Sequence, residues 1–138
     1  MIRKLPTRFV DKVWGVKRLP APFPHPSDQP IGEVWFEPPP ELDQLLVKYI
    51  FTSERLSVQA HPSDEQAEAM GLADGGKSEC WVILDAEPGA SIAVGLRENS
   101  TAVDLRRSAL DGTIVEKLVW DEVERGAAFY IPAGAVHA

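Results

Sequence analysis

Two side chains with metal-binding chemistry alternate with apolar residues in the stretch 56–61, which reads Leu-Ser-Val-Gln-Ala-His. With the two-residue period of a β-strand, Gln59 and His61 share one face with Ser57, and the three apolar residues share the other. An amide oxygen and an imidazole held side by side on a rigid sheet can bind one metal ion. A polar strand face that meets water gives the same pattern, so this stretch alone leaves both interpretations open.

A second polar set follows at residues 77–81. Lys77 and Glu79 fall on one face of a predicted strand together with Trp81, and Cys80 falls on the other. Such a lysine and glutamate are typical of a surface ion pair. The alternative is that Glu79 is a third metal ligand with a cation beside it. Because Cys80 faces away, we expect a small core residue there rather than a nucleophile.

The segment 126–137 has the most specific spacing in the chain, with Gly126 followed by Pro132, Gly134 and His137. Gly126 turns the chain into a strand, and Pro132 and Gly134 bend the next corner. This arrangement delivers His137 into the interior of a barrel. Glycine and proline punctuate every β protein, so the interpretation depends on the four residues in this order.

Many short strands and two short helices are predicted to position these residues. Ser63 and Gln66 form a capping-box pattern for a helix over 64–70, and Thr101 and Asp104 begin a second helix that ends near Leu110. Frequent glycine and proline between the strands predict an all-β sandwich or barrel. The predicted strands are 32–36, 45–51, 56–61, 79–84, 91–96, 118–123 and 129–131.

The length of 138 residues predicts one domain, 1–138. Prolines crowd the first 30 residues and cannot lie inside helices or central strands. We therefore expect residues 1–30 to form a proline-rich arm over a core of residues 31–138, with His25 as an exposed loop residue.

The charge and cysteine content exclude several classes of partner and setting. A net charge of -7 argues against nucleic-acid binding, and the basic run between Arg3 and Arg18 is interpreted as a solvated surface. No signal-peptide core and no run of about 18 apolar residues is present, so neither export nor a membrane span is predicted. The single cysteine predicts a reduced, cytoplasmic location.

Together these segments resemble the type I mannose-6-phosphate isomerases of the cupin superfamily, in their short bacterial form. The spacing from Gly126 to His137 resembles the second cupin motif. The other matching pieces are Gly-Glu-Val-Trp at 32–35, Leu-Ser-Val-Gln-Ala-His-Pro at 56–62, Gly-Lys-Ser-Glu-Cys-Trp at 76–81 and Phe-Tyr-Ile-Pro-Ala-Gly-Ala-Val-His-Ala at 129–138.

The resemblance implies a cupin-type jelly roll and a metal-dependent aldose–ketose isomerisation of mannose 6-phosphate and fructose 6-phosphate through an enediol. It implies one zinc ion per chain, or another divalent metal, held by Gln59, His61, Glu79 and His137. Ser57 and Lys77 would then face the sugar phosphate, with Lys77 as the catalytic residue. One carboxylate among these ligands leaves bound Zn²⁺ with about one net positive charge, which favours Lewis-acid chemistry.

The chain departs from this family after His137. Family members continue, adding strands that close the jelly roll and an arginine that binds the sugar. We therefore expect a jelly roll that is incomplete at its C-terminus and a homodimer that pairs the open sheet edge. The alternatives are a non-catalytic cupin that binds a sugar phosphate and a non-haem iron oxygenase, which uses two histidines and one glutamate. Gln59 as a fourth ligand favours zinc.

Overall fold

The computed structural model describes residues 2–26 and 28–138, and positions 1 and 27 of the predicted arm lie outside the described residues. The chain divides into two compact units, Met1–Leu56 and Ser57–Ala138. The organisation as one domain stays a prediction.

Three antiparallel strands form the sheet of the first unit in the order β1-β2-β3: β1 (Thr7–Val16), β2 (Ile31–Phe36) and β3 (Val47–Ile50). The sequence predicts β2 and β3, whereas β1 lies in the stretch predicted as an arm. The register of β1 against β2 shifts twice, and such irregularities break the two-residue period that identifies a strand. Gly15 is required in β1, because a Cβ there would lie 2.4 Å from the backbone carbon of Ile31.

The first unit has an apolar core and a buried carboxylate. Leu19, Ile31 and Val34 form the core. Glu33 is 6% exposed and accepts hydrogen bonds from Lys48 Nζ at 2.7 Å and Trp35 Nε1 at 2.9 Å. Burial raises the pKa of Glu33, but these hydrogen bonds and the nearby lysine charges outweigh it, so the pKa lies below its ordinary value of 4.5.

Two strand pairs organise the second unit. Strand β4 (Glu79–Val82) pairs antiparallel with β7 (Ala128–Ile131), and β5 (Ser91–Leu96) pairs antiparallel with β6 (Leu118–Glu122). The sequence predicts all four strands. The terminal residues extend the second pair, because Ala93 and Ala138 exchange both backbone hydrogen bonds.

Three α-helices and one 3-10 helix complete the described elements. Helix α1 (Asp64–Ala69) has the predicted capping box between Ser63 and Gln66, and α2 (Ala102–Asp111) has Thr101 as its predicted N-cap. Helix α3 (Ile114–Lys117) and the 3-10 helix Pro40–Leu42 were not predicted, since each is about one turn long. Within residues 2–26 and 28–138, no helix has the length and apolar character needed to cross a bilayer.

Three sequence predictions are wrong in detail. Residues 56–61 form no regular strand, and Gln59 makes only an isolated bridge with His137. Cys80 is exposed rather than a core residue, and the cytoplasmic location inferred from it stays a prediction. His25 is half-buried rather than exposed, and its Nδ1 accepts a hydrogen bond from the Leu19 N–H at 3.3 Å.

Candidate metal centre

Three of the four predicted metal ligands converge in the second unit. One ligand atom from each of His61, Glu79 and His137 lies within 4.8 Å of the others. Glu79 Oε2 is 3.0 Å from His137 Nε2 and 3.6 Å from His61 Nε2. The site is sheltered, since the side chains of Glu79 and His137 are 10% and 1% exposed. This group can hold one metal ion.

Short backbone pairings bring the three residues together. His137 forms bridges with Gln59 on one side and with Val94 of β5 on the other. Glu79 is the first residue of β4 and is paired with Ile131 of β7. The His61 carbonyl oxygen accepts a hydrogen bond from the Gly134 N–H at 2.7 Å. Each of the three residues therefore lies on hydrogen-bonded backbone, which limits its movement.

The hydrogen bonding of His137 tests whether these residues suit a cation. His137 Nδ1 lies 2.9 Å from the Ala135 carbonyl oxygen, and a carbonyl can only accept, so Nδ1 carries a hydrogen. In the neutral imidazole, Nε2 then presents a lone pair toward Glu79 Oε2 at 3.0 Å. Two electron-rich atoms at that distance repel each other unless a proton or a metal cation lies with them. The donor set therefore fits a metal ion, and the carbonyl contact is the kind that orients a ligating histidine.

Lys77 shows that the site attracts positive charge. Its ammonium lies 3.0 Å from Glu79 Oε1 and 3.2 Å from His61 Nε2. As Lys77 can only donate hydrogen bonds, His61 Nε2 accepts at this contact. The Lys77 side chain is 44% exposed, so it can shift within the site when another cation arrives. The contact with Glu79 confirms that these two side chains share one face.

Gln59 is placed next to the convergent group by its backbone. Gln59 and His137 exchange both backbone hydrogen bonds, at 2.9 Å and 2.8 Å. Side chains of directly paired antiparallel residues emerge on the same face, so the Gln59 side chain emerges beside His137. Ser57 is exposed two residues earlier. Ligation by Gln59 and substrate contact by Ser57 stay predictions.

Two contacts that shape the site were not predicted from the sequence. The Ala135 carbonyl orients His137, and no residue type marks it, because every residue carries a carbonyl. The Trp81 ring packs edge-on against His137 at 5.9 Å between centroids. The alternation of side chains along β4 places Trp81 on the same face as Glu79. That alternation is the sequence feature from which the contact of Trp81 with the site could have been predicted.

The architecture matches that of two solved structures. The mannose 6-phosphate isomerase of Bacillus subtilis superposes with a TM-score of 0.78 at 23% identity, covering 97% of this chain and 53% of that one. A putative mannosephosphate isomerase from Archaeoglobus fulgidus gives a TM-score of 0.75 at 21% identity, covering 97% and 56%. The predicted fold is thereby confirmed as an all-β, cupin-type fold with few helices.

The chain is also similar in sequence to two mannose-6-phosphate isomerases of Bacillus subtilis, one of them named as probable. The chain is 38% identical over 100 residues to the mannose-6-phosphate isomerase ManA of Bacillus subtilis, covering 68% of this chain and 30% of that protein. It is 31% identical over 131 residues to the probable mannose-6-phosphate isomerase GmuF of the same organism, covering 95% and 37%. No family model matches the chain. The chain is thus similar in sequence to mannose-6-phosphate isomerases, and it spans about a third of the length of these relatives.

Proposed function

We propose that the second unit binds one divalent metal ion, zinc, through His61, Glu79 and His137, with the Gln59 amide as the fourth ligand. The observation that supports this proposal is the close approach of the buried His137 Nε2 to Glu79 Oε2, at 3.0 Å. Carboxylate, imidazole and amide ligands together suit zinc. Because Glu79 is the only anion in the set, a bound dication keeps a net positive charge.

We further propose that the reaction is the interconversion of mannose 6-phosphate and fructose 6-phosphate. The names of the sequence relatives support this substrate class. Aldose–ketose isomerisation moves a proton between neighbouring carbons through an enediol, and negative charge develops on oxygen. A metal ion bound at this site would supply Lewis-acid stabilisation of that charge.

Lys77 is proposed as the catalytic residue of this chain. Its ammonium already lies at the edge of the ligand group, in contact with Glu79 and His61. From there it can donate hydrogen bonds to a sugar oxygen that becomes negative, and its partial exposure leaves it accessible to substrate. Ser57, exposed on the segment that leads to Gln59, is proposed to contact the sugar phosphate.

A coupled assay for fructose 6-phosphate formation, with zinc-loaded protein and mannose 6-phosphate, tests the reaction. We expect turnover that disappears in Glu79→Ala and persists in Glu87→Ala, an exposed acidic residue at a turn of the same unit. Sugar-phosphate binding without turnover would instead select a non-catalytic cupin. If neither turnover nor binding is found with zinc present, the isomerase proposal is wrong.

Metal analysis separates zinc from iron. The two histidines and one glutamate that converge here are also the ligand set of non-haem iron oxygenases. Elemental analysis of protein purified without chelator should give about one zinc per chain. Stoichiometric iron, with oxygen consumption, would favour the oxygenase.

A further inference from the structure

Residues 133–135 form the corner between β7 and His137. Each of them makes a hydrogen bond either to one of the three convergent residues or to the residue next to one. Ala133 donates its N–H to Ser78 Oγ at 3.1 Å, and Ser78 directly precedes Glu79. Gly134 donates its N–H to the carbonyl oxygen of His61 at 2.7 Å. Ala135 accepts from His137 at 2.9 Å. Three consecutive residues therefore tie the three ligand-bearing segments together.

Of these three contacts, two are made by His61 and His137 themselves. The third is made by the side chain of Ser78, which is not a proposed ligand. The β4–β7 ladder ends with Glu79 paired to Ile131. Pro132 follows Ile131 directly after β7. Because proline has no N–H, it cannot continue the hydrogen bonding between the two strands. The Ser78 hydroxyl takes the following N–H, from Ala133, and so anchors the corner immediately beyond the proline.

We propose that Ser78 is a positioning residue for the metal centre, acting through the Ala133 amide to set the spacing between Glu79 and His137. This inference rests on the proposed metal site. Without the anchor, the corner keeps the Gly134 contact to His61 but loses its tie to the start of β4, and the orientation of Ala135 against His137 is less fixed. Partners that orient ligands in this way typically contribute about 10- to 100-fold to metal affinity.

Ser78→Ala in the full chain provides the test, with Ser100→Ala as the matched control. Ser100 is a serine of the same unit whose hydroxyl contacts only Glu98 among the described residues, at 3.5 Å. Zn²⁺ affinity is measured by chelator competition, and ligand geometry is measured from the visible absorption of the Co²⁺-loaded protein. The thermal midpoint of each metal-free variant reports on folding.

Ser78→Ala is expected to bind Zn²⁺ at least about 10-fold more weakly and to change the Co²⁺ spectrum, while its metal-free midpoint stays close to that of Ser100→Ala. Ser78→Thr, which keeps the hydroxyl, should restore both properties, and its isostere Ser78→Val should not. The Thr and Val pair decides the matter if the alanine variant does not fold.

Two results would overturn the inference while leaving the metal site intact: unchanged affinity and spectrum in Ser78→Ala, or equal losses in the Thr and Val variants. If the unmodified chain binds neither Zn²⁺ nor Co²⁺, the proposed metal site fails and the inference fails with it.

Discussion

Replacing Glu79 with glutamine is the most informative single change, because it keeps the shape of the side chain and removes the only anion of the proposed ligand set. Glu79 Oε2 lies 3.0 Å from His137 Nε2, and Oε1 lies 3.0 Å from Lys77 Nζ. The amide keeps one oxygen that can bind a cation. The variant therefore measures what the negative charge contributes to metal binding.

The size of the effect follows from competition between Lys77 and the ion. At an effective dielectric constant of about 20, a unit negative charge and a dication about 4 Å apart attract by about 8 kcal/mol. Lys77 holds the same carboxylate before the ion binds, with an attraction of about 4 kcal/mol on that scale. The carboxylate therefore contributes about 4 kcal/mol net, and Glu79→Gln should weaken Zn²⁺ binding about 10³-fold.

Competition with a chromophoric chelator at fixed pH and ionic strength measures this loss, with Glu87→Gln as the control for an exposed carboxylate of the same unit. The control should bind Zn²⁺ as the unmodified chain does. If Glu79→Gln bound Zn²⁺ within about threefold of the unmodified chain, an ion at His61 and His137 would not be using this carboxylate, and the electrostatic reasoning would be refuted.

Four further predictions concern three single residues and the oligomeric state. Lys77→Met should lower turnover at least about 10²-fold, because the hydrogen-bond donor to the developing negative charge is lost. Its Zn²⁺ affinity should be equal or higher, because the cation that competes for Glu79 is gone. Steady-state kinetics measure the turnover, and chelator competition measures the affinity. The depressed pKa of Glu33 gives stability that is present above its ordinary value of 4.5 and lost as pH falls through the lower folded value; the difference in unfolding free energy between the unmodified chain and Glu33→Gln should shrink between about pH 5 and pH 2, and a constant difference would contradict it. Ser63→Ala should cost about 1 kcal/mol in urea unfolding, because it removes the N-cap hydrogen bond of α1, from the Gln66 N–H to Ser63 Oγ. The predicted homodimer should give twice the chain mass of 15.2 kDa by light scattering, and a monomer at micromolar concentration would rule it out.

Local sequence signals identified most of the elements. The capping box at Ser63 and the N-cap at Thr101 are local hydrogen-bonding patterns, so both helices were predictable from residue types alone. The strands β4 to β7 carry β-formers between turn residues. Strand β1 was missed because its pairing with β2 is irregular. At residues 56–61 the sequence predicted a strand that is absent. Polar and apolar residues alternate there, but the backbone does not pair into a regular strand.

The convergent group of His61, Glu79 and His137 was predictable because its residue types are unusual, whereas the contacts that support it were not. Imidazoles and a carboxylate at His61, Glu79 and His137 stand out by residue type. The contacts that hold them involve backbone groups of Ala133, Gly134 and Ala135, which any sequence supplies. Cys80 was misjudged because alternation says which residues share a face but not which face meets the core.

Because the proposed metal ligands lie in one unit, metal binding and turnover should depend on different parts of the protein. His61, Glu79, His137 and the predicted fourth ligand Gln59 all lie in the unit Ser57–Ala138, and the contacts that orient them join residues of that unit. Metal affinity should therefore depend on this unit alone. The chain spans about a third of the length of the isomerases that it resembles, and turnover requires substrate contacts in addition to a bound metal ion. Changes in the first unit, such as Glu33→Gln, should accordingly leave Zn²⁺ affinity unchanged in a folded protein, and a loss of affinity there would show that the metal site extends beyond the second unit.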